Sequence, residues 1–243
     1  MSSQSKVFSA FFPTPKYLLL SAAGLAITDE GVKLLEFKQP LIGAFTLSRH
    51  MAYPLPENAI ESGFINDAMA LKSVLNEIAR SGVRYVHATL PEERTYLFTT
   101  VIDKVPEENL RDAVAFILEE NVPLSLTKAV FDFDIVGEVG KNKLKISVSV
   151  LSKPVVDFYV ETLTAAGLTP ISFDIESQAI ARAIVPRADK SPQMIVNFQF
   201  RKTGLSVVED GIVQFTTTLP YLARERLEDF RTEVLKVFTF WIN

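Results

Sequence analysis

Apolar and polar positions alternate along this chain in short blocks, and one order of blocks occurs twice. Residues 18–37, LLLSAAGLAITDEGVKLLEF, read as a buried apolar strand, a turn rich in Thr, Asp and Gly, and a second strand alternating apolar with polar. Residues 194–215, MIVNFQFRKTGLSVVEDGIVQF, repeat that pattern far downstream. Residues 49–56 continue the first sheet to a turn holding Pro54 and Pro56. Residues 64–80 then space Ile65, Ala68, Met69, Leu71, Leu75, Ile78 and Ala79 for one helical face, and Ser81-Gly82 ends the helix. Residues 85–90 form a buried strand that closes a β-β-α-β unit.

A strand, helix, strand, strand, helix series follows. Its strand covers 94–102, and its helix covers 106–121, opening with Pro-Glu-Glu at the positive helix N-terminus. Segments 129–136 and 143–151 pair as a hairpin across 137–142, and a helix over 154–166 is ended by Gly167. Phe116, Ile117, Val130, Ile146, Val148, Phe158 and Leu163 are expected to form its interior. Beyond it lie a short helix over 177–184, a linker over 186–192, the second hairpin, and an amphipathic helix over 227–242. The domain reading is an extended lead-in over 1–17, a first domain over 18–90, an insert over 91–168, a returning helix and linker over 169–190, and a second domain over 191–243.

Composition narrows the class. With 243 residues and 48% hydrophobic residues, the chain can bury one large core or two modest ones. Its 25 basic and 29 acidic residues give a net charge of −4, so no basic field gathers nucleic acid. The absence of cysteine excludes a disulfide framework and thiolate metal sites, as in a reducing compartment. Lys6, Phe11, Phe12 and the run LLLSAAGLA imitate a secretory leader, but Pro13, Pro15 and Lys16 interrupt it. No apolar stretch reaches the roughly 18 residues of a membrane span.

Candidate chemistry is sparse. Asp132 and Asp134 lie two apart on a strand, so both carboxylates share a face and can hold a cation or a proton. A solvated strand face with Phe131 and Phe133 inward explains them equally well. Asp174 and Glu176 pair likewise, with helix-start chemistry before Ser177 as the plainer account. His50 and His87 have no third ligand at readable spacing, and His87 reads as a strand residue with a satisfied ring. There is no Gly-x-Ser-x-Gly elbow, P-loop or Gly-x-Gly-x-x-Gly, and no catalytic or metal set is assigned.

Gly24, Leu25, Ala26, Ile27, Thr28, Asp29, Glu30, Gly31, Val32 and Lys33 follow the hairpin pattern G-[LI]-D-I-[GS]-x-x-[SA]-[IV]-K. Glu120, Val122, Pro123 and Leu124 fit E-x-[IV]-P-L, and residues 166–170 fit A-G-L-x-P. Asp174, Ile175, Glu176, Ser177, Ala179, Arg182 and Ala183 fit D-[IV]-E-S-x-A-x-x-R-A. In these motifs the chain resembles the type IV pilus assembly PilM family, relatives of FtsA in the actin, sugar kinase and Hsp70 superfamily. The resemblance implies an α/β, actin-like (ribonuclease H-like) fold with an inserted strand-helix-strand-strand-helix subdomain and a shortened second domain.

The resemblance also implies ATP and Mg²⁺ at Thr28, Asp29, Lys33, Asn197 and Thr203. Two substitutions and the short second domain count against that cofactor. The family's Mg²⁺-orienting aspartate is Ala26, whose methyl offers a hard cation no lone pair. The glycine of its second turn, D-I-G-x-x-x-T, is Gln199, followed by Phe200. The implied function is a scaffold of a type IV pilus, secretion or competence platform, cytoplasmic and at the inner face of the cell membrane. Its implied partner is the tail of a PilN-type inner-membrane protein, gripped at Leu90, Tyr96, Phe131 and Phe133 between the first domain and the insert. Two other readings stay open: an active ATPase in which Asp29 or Asn197 supplies the lost groups, and a nucleotide-free module that self-associates through Phe238, Phe240 and Trp241.

Overall fold

The first hairpin forms where the alternation puts it. In the computed structural model, which describes residues 21–38, 44–186 and 188–242, β1 (Ala22–Thr28) and β2 (Gly31–Lys38) pair antiparallel, with Ala26 opposite Lys33. The lead-in over 1–17 and residues 18–20 of the first apolar run lie outside the described residues. Gly31 has no substitute at this turn: its φ is +146°, and a Cβ there would lie 2.1 Å from the Tyr53 carbonyl oxygen. β3 (Thr46–Pro54) adds antiparallel to β2, and β4 (Ile60–Glu61) pairs with β5 (Phe64–Ile65) as a small ladder.

Helix α1 (Ala68–Arg80) starts later than the periodicity suggests, because the Asp67 carboxylate caps it by accepting the Ala70 N–H at 2.9 Å. Leu71, Leu75 and Ile78 make its buried stripe, whereas Met69 points to solvent. β6 (Tyr85–Leu90) then lies parallel to β1. After β7 (Thr95–Asp103) come α2 (Leu110–Asn121), β8 (Ala129–Val139), β9 (Lys143–Ser152) and α3 (Lys153–Ala165). β10 (Thr169–Ile175) returns parallel to β6 and runs into α4 (Glu176–Ile184). The last part is β11 (Gln193–Phe198), β12 (Thr203–Glu209), β13 (Ile212–Leu219) and α5 (Leu227–Ile242).

Three principal sheets result. The first has the order β10-β6-β1-β2-β3, the inserted one β7-β9-β8, and the last β11-β12-β13. α1 and α3 cover one face of the first sheet, where Leu25, Val32, Leu34, Val86, Leu75 and Leu163 form a core. The insert has its own core of Val114 and Leu118 from α2 against Ile146, Val148 and Val150 of β9. Four expected interior residues differ, one of them Val130, which is 37% exposed on the edge strand β8. Phe116 is 77% exposed, because the buried stripe of α2 is Leu110, Val114 and Leu118. Leu163 is buried, but in the first sheet's core, and Phe158 beside it is partly exposed.

α4 lies between the halves. Ala181 and Val185 meet Val208 and Val213 of the last sheet, while α5 covers that sheet's other face through Phe230, Val234, Val237 and Trp241. The insert is tied to the last sheet by Ser147, whose hydroxyl donates to the Val213 carbonyl at 2.9 Å, and by Thr99 on Gln214. No helix among the described residues is long and apolar enough to cross a membrane.

Candidate functional site

Two regions bring the singled-out residues together. The first is the meeting of the two hairpin turns. Thr28 spends its hydroxyl inside its own turn, donating to the Gly31 carbonyl at 3.2 Å. Lys33 pairs with Glu30 at 3.1 Å. From the other half, the Phe200 N–H donates to Glu30 at 2.8 Å, and the Arg201 guanidinium donates to Asn58 Oδ1 at 2.9 Å and pairs with Glu57. Lys202, only 9% exposed, pairs with Glu93 and lies 3.5 Å from Asp29. Gln199 donates to both oxygens of Glu176 at 3.1 Å, and Asn197 reaches the same carboxylate at 3.5 Å.

The turn over 199–202 therefore sits in the gap between the halves, held from several sides. Thr203 is fully buried, donating to the Tyr221 carbonyl at 3.0 Å and accepting from the Ala223 N–H at 3.1 Å. Ala26 points elsewhere, toward a cavity of about 390 Å³ shared with Lys33, His50, His87 and Asp174. His87 Nδ1 lies 2.7 Å from the Ser172 hydroxyl, which satisfies that nitrogen, although the side chain is exposed. Among the described residues no three His, Asp or Glu gather as a metal-ion set.

The electrostatics of the turns follow from burial. Burial raises the Glu176 carboxyl above its ordinary value against the opposing pull of Lys202 and the Gln199 hydrogen bond. Burial also raises Glu92, which accepts the Ser177 N–H and hydroxyl, both at 2.9 Å, and so caps α4. For Lys202 burial works against the ammonium, but the hydrogen bond and charge of Glu93, with Asp29 and Glu176, outweigh it and raise its pKa. Burial, then the charges of Glu93 and Asp29, push the Tyr159 phenol above its usual range.

The second region is a groove of about 640 Å³ between the insert, the first sheet and the β12–β13 turn. It brings together Leu90, Phe131 and Phe133. Tyr96 stands apart on β7, at the opposite edge of the inserted sheet and 42% exposed, because β9 separates the two edge strands. The groove also holds Asp132, Asp134, Asp174, Arg111 and Arg182. Arg182 pairs with Asp174 at 2.6 Å. Burial, then the neighbouring Asp132, raises the Asp134 carboxyl, while Arg182 opposes the shift.

β8 presents the groove with an edge that no other strand covers among the described residues. Side chains cap that edge instead. Arg111 stacks over the Phe131 ring, 4.5 Å from its centroid, and donates to the Phe131 carbonyl at 3.2 Å. The Asp132 carboxylate accepts the Phe133 N–H at 3.0 Å. Leu90, Phe131 and Phe133 were expected together from the sequence, whereas Arg111 and Arg182, which line the same groove from α2 and α4, were not. The motif D-[IV]-E-S-x-A-x-x-R-A holds the only available signal for Arg182, and none exists for Arg111.

A sheet in which β1, β2 and β3 are antiparallel and β6 and β10 add in parallel on the far side, followed by a second unit opening with the same hairpin, defines a protein of the actin-like, ribonuclease H-like class. The chain belongs to the type IV pilus assembly protein PilM family, whose model matches residues 24–221. Among solved structures it is similar to a PilM–PilN type IV pilus biogenesis complex, at 21% identity and a TM-score of 0.73. That match covers 85% of this chain and 63% of the other, so the chain spans less than two thirds of that relative's length. It is also similar to the cytoplasmic domain of EpsL, an inner-membrane component of the type II secretion system of Vibrio cholerae, at 11% identity and a TM-score of 0.50, over 82% and 70% of the two chains. No curated protein matches the sequence.

Proposed function

We propose that this chain is a cytoplasmic scaffold of a type IV pilus or related assembly platform, which holds the extended tail of a PilN-type inner-membrane protein in the groove beside β8. It meets the inner face of the membrane through that partner. The observation that carries the reading is the β8 edge, which among the described residues no second strand covers, opening on a groove of about 640 Å³. An extended segment gains main-chain hydrogen bonds at such an edge and apolar contact from its walls, here Leu90, Val130, Phe131 and Phe133. Arg111 and Asp132 protect the edge while it is empty and are displaced by an incoming strand. The PilN partner in the similar solved complex supports this choice of ligand.

The hairpin turns act in this reading as a latch between the halves, with no nucleotide. Lys202 is already neutralised by Glu93 and Asp29, and the Thr203 hydroxyl is fully engaged. Asp29, Glu30, Glu93 and Glu176 crowd the same gap, and their charge opposes a triphosphate. Ala26 supplies no cation ligand.

Calorimetric titration with a synthetic peptide of the partner's cytoplasmic tail tests the groove. Saturable 1:1 binding is expected, and Val130→Glu, at a groove-lining and partly exposed position, weakens it by about tenfold or more, which corresponds to roughly 1.4 kcal/mol. Equal affinity of wild type and variant sinks the groove assignment. No binding by the wild type sinks the scaffold reading.

A further inference from the structure

Three buried side-chain atoms have no hydrogen-bond partner among the described residues: Tyr159 Oη, Glu93 Oε2 and Arg94 Nε. They come from two elements that meet beside the latch. Glu93 and Arg94 belong to the 3-10 turn Glu92–Arg94, and Tyr159 stands on α3, 2% exposed in the core of the first sheet. The charges of Glu93, Asp29 and Arg94 all act on the Tyr159 phenol, and Glu93 and Tyr159 act in turn on Arg94, so the three groups are neighbours. Each is also held elsewhere. Glu93 gives its other oxygen to Lys202, the Phe64 ring stacks on the Arg94 guanidinium, and the Tyr159 ring is packed in the core.

A buried polar atom without a partner carries its full desolvation cost, and neighbouring atoms of this kind in a folded chain share a bridge. The chemistry of the three atoms selects that bridge. A metal cation suits the two oxygens but meets the Arg94 N–H, a donor with no lone pair to give. An anion suits Arg94 and the phenol but meets the Glu93 carboxylate. A molecule that both donates and accepts serves all three. Water is the smallest such molecule, and the atoms that it must reach are closed to solvent.

We propose that one water molecule is built into the fold here, accepting from the Arg94 Nε–H and the Tyr159 hydroxyl and donating to Glu93 Oε2. Three polar partners are the usual number for an internal water. The phenol serves as a donor because burial, with the charges of Glu93 and Asp29, holds it protonated. The water extends the latch onto α3, since Lys202 binds Glu93, Glu93 binds the water, and the water binds Tyr159. Val156, nearly one turn earlier on that helix, lines the groove beside β8, so the latch is joined to a groove wall. The bridge does not depend on what the groove holds.

A crystal structure at a resolution that shows ordered water tests the bridge, with urea unfolding of Tyr159→Phe read beside it. One water is expected within about 2.5 to 3.2 Å of all three atoms. Tyr159→Phe, which keeps the packed ring, is expected to raise the unfolding equilibrium constant by about fivefold or more, because the water loses an anchor and Glu93 and Arg94 lose their shared partner. A phenol that bound nothing would instead stabilise the fold on removal, so the sign of the change decides. Direct hydrogen bonds among the three side chains, or no water between them, overturn the proposal. So does a Tyr159→Phe variant at least as stable as the wild type.

Discussion

Lys202 shows how one residue changes role with its surroundings. Phe200 and Arg201 lie exposed in their turn, yet the next residue, Lys202, is buried against Glu93 and near Asp29. Removing one partner of a buried pair leaves the other charge without compensation. Lys202→Met is therefore expected to cost about 3 to 5 kcal/mol in urea unfolding, and Glu93→Gln added to it should recover part of that loss. The pH dependence has a definite sign. Because the folded pKa of Lys202 is raised, its contribution is fully present below its ordinary value of 10.5 and is lost as pH rises through the higher folded value. The gap between wild type and variant thus closes as pH rises through that value. Equal stability at neutral pH would mean that the pair does not form.

At the scale of elements, alternation and turn chemistry made the strands legible, because each pattern depends on residues close in sequence. Both hairpins, the order of the inserted elements and the helix ends at Ser81 and Gly167 were readable for this reason. The allegiance of a helix was not. α2 carries Phe116 as well as Val114 and Leu118, and the face that packs against β9 is the one with Val114 and Leu118. Leu118→Ala is expected to cost about 2 to 5 kcal/mol. Phe116→Ala should cost less than about 1 kcal/mol, since it removes surface already in water. Thermal or urea unfolding of the two variants checks the order, and a larger loss at Phe116 would reverse the assigned face. Tyr96 escaped for a related reason: adjacent β7 and β8 in the sequence suggest one wall, but β9 lies between them.

For the whole molecule, the residues that make the groove come from β6, α2, β8, β9, α3, β10, α4 and the β12–β13 turn with the start of β13, and no local pattern foretells that convergence. The family motifs point to the turns instead, where the structure shows carboxylates and a buried lysine. Mg-ATP is accordingly expected to leave the melting temperature of the chain unchanged and to leave tail affinity within about twofold, since a ligand that does not bind the native state cannot stabilise it. A rise in melting temperature that saturates with Mg-ATP would return the nucleotide to the mechanism.

The position of the turn over 199–202 bears on the speed of the proposed tail capture. The groove has walls in both halves, with Val130 and Phe133 on one side and Ile212 and Val213 on another. A protein whose halves swing open must close over its guest, and that step slows association and costs ordering entropy. Here Gln199, Phe200, Arg201 and Lys202 already fix the separation of the halves. Under the proposed function the receptor is thus preorganised, and the ordering cost of the complex falls on the flexible tail, whose own sequence sets how long it stays.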